Sequence, residues 1–245
     1  MKKIIIWLLF ITLSVNNYAA TPKIDSIAIG ILDHMTYMIG CLNSVSYELR
    51  SSNDIANAEF GLIKSSGISN IYMLGPDKML INSRNEKGHR EFWYNGKQMV
   101  YLSHDENNYA IIDAPSNIIA AIDTINKQYG IIFPGSDFFY PSFTSDLIEY
   151  SDQIKYLGEK SVNGKECSHI IAISKKLNIQ IWISNEGLNL PVKFVIINKE
   201  KEGNPQYEAS FSNWKINPDL PWAMFEFLPP PGAVEVKIIP KKVIK

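Results

Sequence analysis

NIQIWIS (178–184), PVKFVIINK (191–199) and QYEASFSNW (206–214) are the stretches whose reading decides the fold. In the first, Ile179, Ile181 and Ile183 share one parity, opposite Gln180 and Trp182. In the second, Val192, Phe194 and Ile196 share a face opposite Lys193, and in the third Tyr207 and Phe211 lie opposite Glu208, Ser210 and Ser212. Alternation with period two is the pattern of a strand with one buried face. Three such strands in succession predict a long antiparallel meander, apolar on one side and more polar on the other.

Working outward, segments near 153–162 and 165–174 flank Asn163-Gly164, and REFWYN (90–95) meets QMVYLSH (98–104) around Asn95-Gly96. Asn-Gly between apolar runs predicts a two-residue type I′ hairpin, which needs positive φ at both central residues. Val45, Tyr47 and Leu49 alternate with Ser46, Glu48 and Arg50, and shorter strands are expected near 58–66, 69–74, 78–84 and 108–112. FEF (225–227) precedes Pro229-Pro230-Pro231, which ends regular pairing.

Helical patterns interrupt the strands. Thr21-Pro22 supplies a hydroxyl N-cap and a proline at the first helical position. Ile24, Ile27, Ile31, Met35, Met38 and Leu42 then fall at steps of three or four, predicting one apolar face. A second helix is predicted over 116–129, ended by Gly130, and a short one near 144–150, after the aromatic-rich SDFFYPSF (136–143). The expected architecture is α+β, a curved antiparallel sheet whose apolar face is covered by amphipathic helices.

The chain has 245 residues and begins with Met1-Lys2-Lys3, followed by the 12-residue apolar run 4–15 and small residues at Ala19 and Ala20. That order predicts a secretory signal peptide over 1–20, cleaved after Ala19 or Ala20, and no stable membrane anchor afterwards. A membrane-spanning helix needs roughly 20 apolar residues. Cleavage leaves 22 basic against 25 acidic residues, a net charge of −3. Nucleic-acid binding is not implied, because it needs a concentrated basic surface. One domain over 21–235 is expected, followed by a locally basic tail, 236–245. The exported compartment permits a disulfide between Cys41 and Cys167, but spacing does not decide whether it forms.

No cofactor is implied, and no catalytic or metal-ligating set is assigned. His89-Arg90-Glu91 matches the first half of a zinc-deaminase signature, but its P-C-x-x-C half is absent. His34, His89, His104 and His169 are widely spaced and read as surface or hydrogen-bonded residues. Cys167 and His169 share a strand parity, which suggests core packing more than a nucleophile and its base. Phe92, Trp93, Tyr94 and Tyr101 read as cross-strand packing rather than as a carbohydrate platform.

Several landmarks recur in a fixed order: FWYNGKQMVYLSHDENNYAIIDAP (92–115), the IIAAIDTINKQYGI helix (118–131), YLGEKSVNGKECSHI (156–170), LPVKFVI (190–196) and PQYEASFSNWKINPDLPWAMFEFLPPPGA (205–233). Together they resemble a bacterial family of predicted periplasmic proteins with a domain of unknown function. That family is similar in pattern to the lipoprotein-carrier superfamily of LolA, LolB and RseB. The resemblance implies an unclosed half-barrel with helices on its concave side. It also implies a periplasmic, non-enzymatic carrier or holder of a lipid, an acylated protein or another apolar ligand. The alternatives are a protein-interaction or sensor module with a filled core, binding an envelope protein, and a hydrolase with a dispersed active site. For a carrier, the apolar parity of the three deciding strands nominates Ile181, Ile183, Phe194, Ile196, Tyr207 and Phe211 as the ligand-facing wall.

Overall fold

A computed structural model describes residues 23–241. The expected signal peptide and the Thr21-Pro22 cap lie outside the described residues. Twelve strands form one sheet: β1 (Ser44–Asn57), β2 (Gly61–Leu74), β3 (Lys78–Asn85), β4 (Gly88–Tyr94), β5 (Gln98–Ser103), β6 (Asn108–Asp113), β7 (Gln153–Val162), β8 (Lys165–Ile173), β9 (Leu177–Ser184), β10 (Pro191–Asn198), β11 (Gln206–Ile216) and β12 (Val234–Glu235). Their spatial order is β12-β6-β5-β4-β3-β2-β1-β11-β10-β9-β8-β7, so the sheet runs from β12 to β7 without closing. Every pair is antiparallel except β12 with β6. The helices are α1 (Ser26–Gly40), α2 (Ile118–Tyr129) and α3 (Phe143–Tyr150).

The expected α+β architecture is present: a mostly antiparallel, unclosed sheet with helices packed on its apolar side. Val45, Tyr47, Leu49, Ile71, Met79, Ile81, Tyr94, Ile170, Ile181, Phe194 and Phe211 project from the strands into a single buried cluster. Ala28, Leu32, Met35 and Ile39 of α1, Ala121, Ile122 and Ile125 of α2, and Leu147 of α3 meet them. Asn163 and Gly164 both have positive φ, 52° and 76°, as the type I′ turn between β7 and β8 requires.

Local readings fail where a distant part of the chain intervenes. Helix α1 starts at Ser26, with Asp25 as its N-cap; the Asp25 carboxylate accepts from the Ile27 amide at 2.9 Å. Ile24 is not helical, because it bridges to Ile154 and extends the β7 edge. The buried face of α1 is Ala28, Leu32, Met35 and Ile39, whereas Ile27 is 59% exposed. Isoleucines occupy more than one side of this helix, so periodicity alone did not identify the docked side. The two strands expected at 58–66 and 69–74 are one strand, β2, paired with β1 along its whole length. At Asn95-Gly96 only Gly96 has positive φ (89°). The Asn95 side chain instead accepts from the Lys97 and Gln98 amides, so the loop is built on an Asn turn and not on type I′ geometry. A bulge between Pro191 and Lys193 displaces Val192, which is buried but outside the concave cluster.

FEF is not a strand. Residues 217–233 form a strap across the other, convex face, leading into the edge strand β12. Asn217 accepts from the Asn43 and Ser44 amides, Phe225 is completely buried, and Phe227 packs on Trp93 and Tyr109, each at 5.1 Å. Lys78, almost fully buried, donates to the Asn95 carbonyl at 2.7 Å and lies 4.8 Å over the Trp222 ring of the strap. Beyond the strap, Lys241 donates its amide to Gln128, beneath Gly130. Gly130 holds φ +71° at the end of α2, and a Cβ there would strike the Lys241 side chain. Both cysteines are free, Cys41 exposed and Cys167 buried.

Leu32→Ala should lower the unfolding free energy by about 2–5 kcal/mol, as expected for a leucine deleted from a filled core. Ile27→Ala should stay within about 0.5 kcal/mol of the native protein. Urea denaturation of the two variants checks which face of α1 is docked.

Candidate functional site

The concave side is not evenly filled. The segment between α2 and α3 crosses it with two buried rings, Phe133 and Phe138. Phe138 meets Phe143 at 4.9 Å, Phe194 at 5.3 Å and Phe211 at 5.4 Å. Phe211 in turn touches Tyr47, which stacks against Phe139. On the β2–β3 side of this aromatic wall, a space of only about 70 Å³ remains beside Leu49, Ile71 and Phe133.

On the β9–β10 side lies a larger cleft of about 350 Å³. Its floor is Leu177, Ile179 and Ile181 of β9 with Phe194 and Ile196 of β10; its roof is Phe138, Phe143, Leu147 and Tyr150. That size is near the lower end of the roughly 300–1,000 Å³ typical of ligand pockets. Polar groups sit at its mouth: Asp123, Asp137, Asp146 and Tyr140. The Tyr140 hydroxyl donates to Asp123 at 2.7 Å, and the Ser142 hydroxyl donates to Asp146 at 2.7 Å. Asp137 is exposed as a residue, yet its carboxyl faces crowded protein on one side. Burial pushes that carboxyl above the ordinary aspartate range; its own backbone amide pulls the other way, while the charges of Asp123 and Asp146 add to the rise.

Of the six residues nominated from strand parity, Ile181, Phe194 and Ile196 line the cleft. Ile183 is fully buried further along β9, outside the cleft lining, Phe211 belongs to the aromatic wall, and Tyr207 packs against Phe194 at 5.6 Å. The Tyr207 hydroxyl is buried without a hydrogen-bond partner, so it does not orient anything in the cleft. Burial pushes this phenol up to about 12, and Ser51, close but outside hydrogen-bonding geometry, pulls slightly down. Parity reasoning missed the roof and the acidic mouth. The aromatic density of 136–143 was the one available signal for the roof.

The histidines are partnered differently from one another. His34 is exposed on α1. His169 stacks on Trp182 at 4.2 Å and meets Gln180 at 3.1 Å, while the Cys167 thiol turns to the Lys165 carbonyl, so no Cys–His pair forms. No helix among the described residues is long and apolar enough to cross a membrane.

An unclosed sheet with an apolar cleft between it and a helical cover defines a half-barrel fold. The chain belongs to the family described as predicted periplasmic protein (DUF2092), whose model matches residues 28–239, and it is periplasmic. No curated protein matches the sequence. Among solved structures it is similar to an uncharacterized conserved protein of Thermus thermophilus, with 11% identity and a TM-score of 0.51 over 86% of this chain and 98% of that one. It is also similar to the Mycobacterium tuberculosis lipoprotein LppX, at 11% identity and TM-score 0.49 over 80% and 98% of the two chains. A LolA superfamily protein of Nitrosomonas europaea gives 10% identity and TM-score 0.39 over 82% and 97%. The first likeness concerns the fold alone.

Two variants test this description. Tyr207→Phe removes a buried hydroxyl that nothing satisfies and should raise stability by roughly 1 kcal/mol in thermal or urea denaturation. Asp137 has a folded-state pKa above its unfolded value, so the fold is disfavoured once the carboxyl must ionise, and stability falls as pH rises past the ordinary range of ~3.9. Asp137→Asn should therefore be more stable than the native protein near neutral pH, with the difference vanishing below about pH 3.

Proposed function

We propose that the protein holds a lipid, an acyl chain or another apolar ligand in the β9–β10 cleft and carries it within the periplasm. The observation that supports this reading is the cleft itself, about 350 Å³ of apolar-lined space under the helical cover, where the β2–β3 side of the aromatic wall keeps only about 70 Å³. Protein interiors are normally filled, so an open apolar space of this size has a ligand as its simplest physical use. The sequence landmarks of the predicted periplasmic family, which is similar in pattern to the lipoprotein-carrier superfamily, support the same reading. Asp123 and Asp146 at the mouth would keep their hydrogen bonds to Tyr140 and Ser142 while an apolar chain enters, because ionised groups are costly to bury without partners. Binding by shape and burial needs no reacting group, and the reading assigns none.

A fluorescent fatty acid, cis-parinaric acid, provides the test. Delipidated protein should bind it, and Ile196→Trp, which fills the cleft from its half-buried floor, should weaken binding at least tenfold while moving the melting temperature little. Native mass spectrometry of gently purified protein should show a co-purifying apolar ligand. A delipidated native protein that binds no probe, together with an Ile196→Trp variant that is badly destabilised as in an overpacked core, overturns the carrier reading in favour of a filled interaction module.

A further inference from the structure

Independently of the cleft, we propose that His89, Glu91 and His104 form a binding site for a divalent transition-metal cation of the zinc class on the convex face, with Asn82 as its positioning residue. His89 and Glu91 are two apart on β4 and so point to the same side. Arg90 pairs with Ser103, and the His104 amide donates to the His89 carbonyl at 3.1 Å, which sets His104 directly across from His89. One ligating atom from each of the three side chains lies within 4.8 Å of the others.

Two imidazoles and a carboxylate are a donor set suited to zinc. Zinc bonds of 2.0–2.2 Å in a tetrahedron place ligand atoms roughly 3.3–3.5 Å apart. The His104 Nε2 and Glu91 Oε2 atoms are already 2.8 Å apart, a contact that a cation would replace. The imidazole rings are stacked, with centroids 3.8 Å apart and planes 6° from parallel, so coordination requires them to tilt until their nitrogens converge. That is a side-chain rotation on a fixed, hydrogen-bonded ladder of strands.

Asn82 of β3, paired in register with Glu91, orients two of the three ligands. Its Oδ1 faces His89 Nε2 at 3.1 Å, and its Nδ2 donates to Glu91 Oε1, leaving Oε2 turned towards His104. Such outer hydrogen bonds fix ligand orientation in metal sites. The surroundings are anionic on balance. Glu91, Asp105 and Glu106 face two cations, Arg84 and Arg90, and Arg90 is engaged by Asp105 and Glu106. Three protein ligands leave the fourth tetrahedral position to water or to a donor from a bound molecule.

The test uses untagged protein stripped with a chelator. Titration calorimetry with zinc should show one equivalent bound, and cobalt should give the visible absorption of a tetrahedral site. His104→Ala and His89→Ala should each weaken zinc binding at least a hundredfold. Asn82→Ala should weaken it about tenfold, and His34→Ala should leave it unchanged. Zinc should raise the melting temperature of the native protein but not of His104→Ala, which alters an exposed side chain and is expected to fold. His104→Gln serves as a second variant should His104→Ala fold poorly. Zinc affinity that persists in a folded His89→Ala/His104→Ala double variant, or a native protein that binds no zinc at 100 µM, overturns the proposal and leaves a hydrogen-bonded cluster.

Discussion

The apolar concave face of a sheet that does not close has to be taken out of water, and the rest of the structure follows from how that is done. A closed barrel hides its inner face by meeting itself. Here β7 and β12 stand at opposite ends of the strand order, so the cover must come from elsewhere in the chain. Helices α1, α2 and α3 and the crossing segment with Phe133 and Phe138 supply it. Burial of apolar surface contributes about 25 cal/mol per Å² and has no preferred direction, so a cover is selected for area more than for exact fit. Where the fit is poor, between β9–β10 and α3, the cleft remains.

The convex face is handled differently. It is polar along much of its length, but Val100 and Leu102 are apolar there, and the strap with Phe225 and Phe227 lies across this region. Lys78 anchors the strap's Trp222 through a cation–π contact while its ammonium is satisfied by the Asn95 carbonyl and Asp77. The His89–Glu91–His104 cluster sits further along β4 on this same side, among hydrogen bonds instead of hydrocarbon. The two faces thus carry two separate kinds of chemistry, one of volume and one of directed polar contacts.

Strand periodicity is reliable where pairing is regular, because side-chain direction alternates strictly with residue number. That is why Ile181, Phe194 and Ile196 could be assigned to the concave face from parity alone. Parity gives the face but not the position along it, so it could not separate these three from Ile183, Tyr207 and Phe211, which share the face and lie in packed regions. The bulge at Val192 shows the other limit, since one extra residue reverses the alternation. Helix α1 was legible as a helix, but its docked side was set by the β7 edge, which holds Ile24 and Asp25 from more than a hundred residues away.

What the sequence determined by itself was therefore local: the strands with their apolar side, the type I′ turn at Asn163-Gly164, the end of α2 at Gly130, and an α+β sheet needing a helical cover. The β1–β11 pairing, the roof of the cleft and the strap over the convex face were decided only by the tertiary structure. So was the meeting of His89 with His104, fifteen positions apart across a hairpin whose register depends on an Asn turn. Periodicity records which way a side chain points relative to its own backbone. Which residues then face each other depends on register, bulges and helix docking, and these are set by competition among contacts distant in the chain.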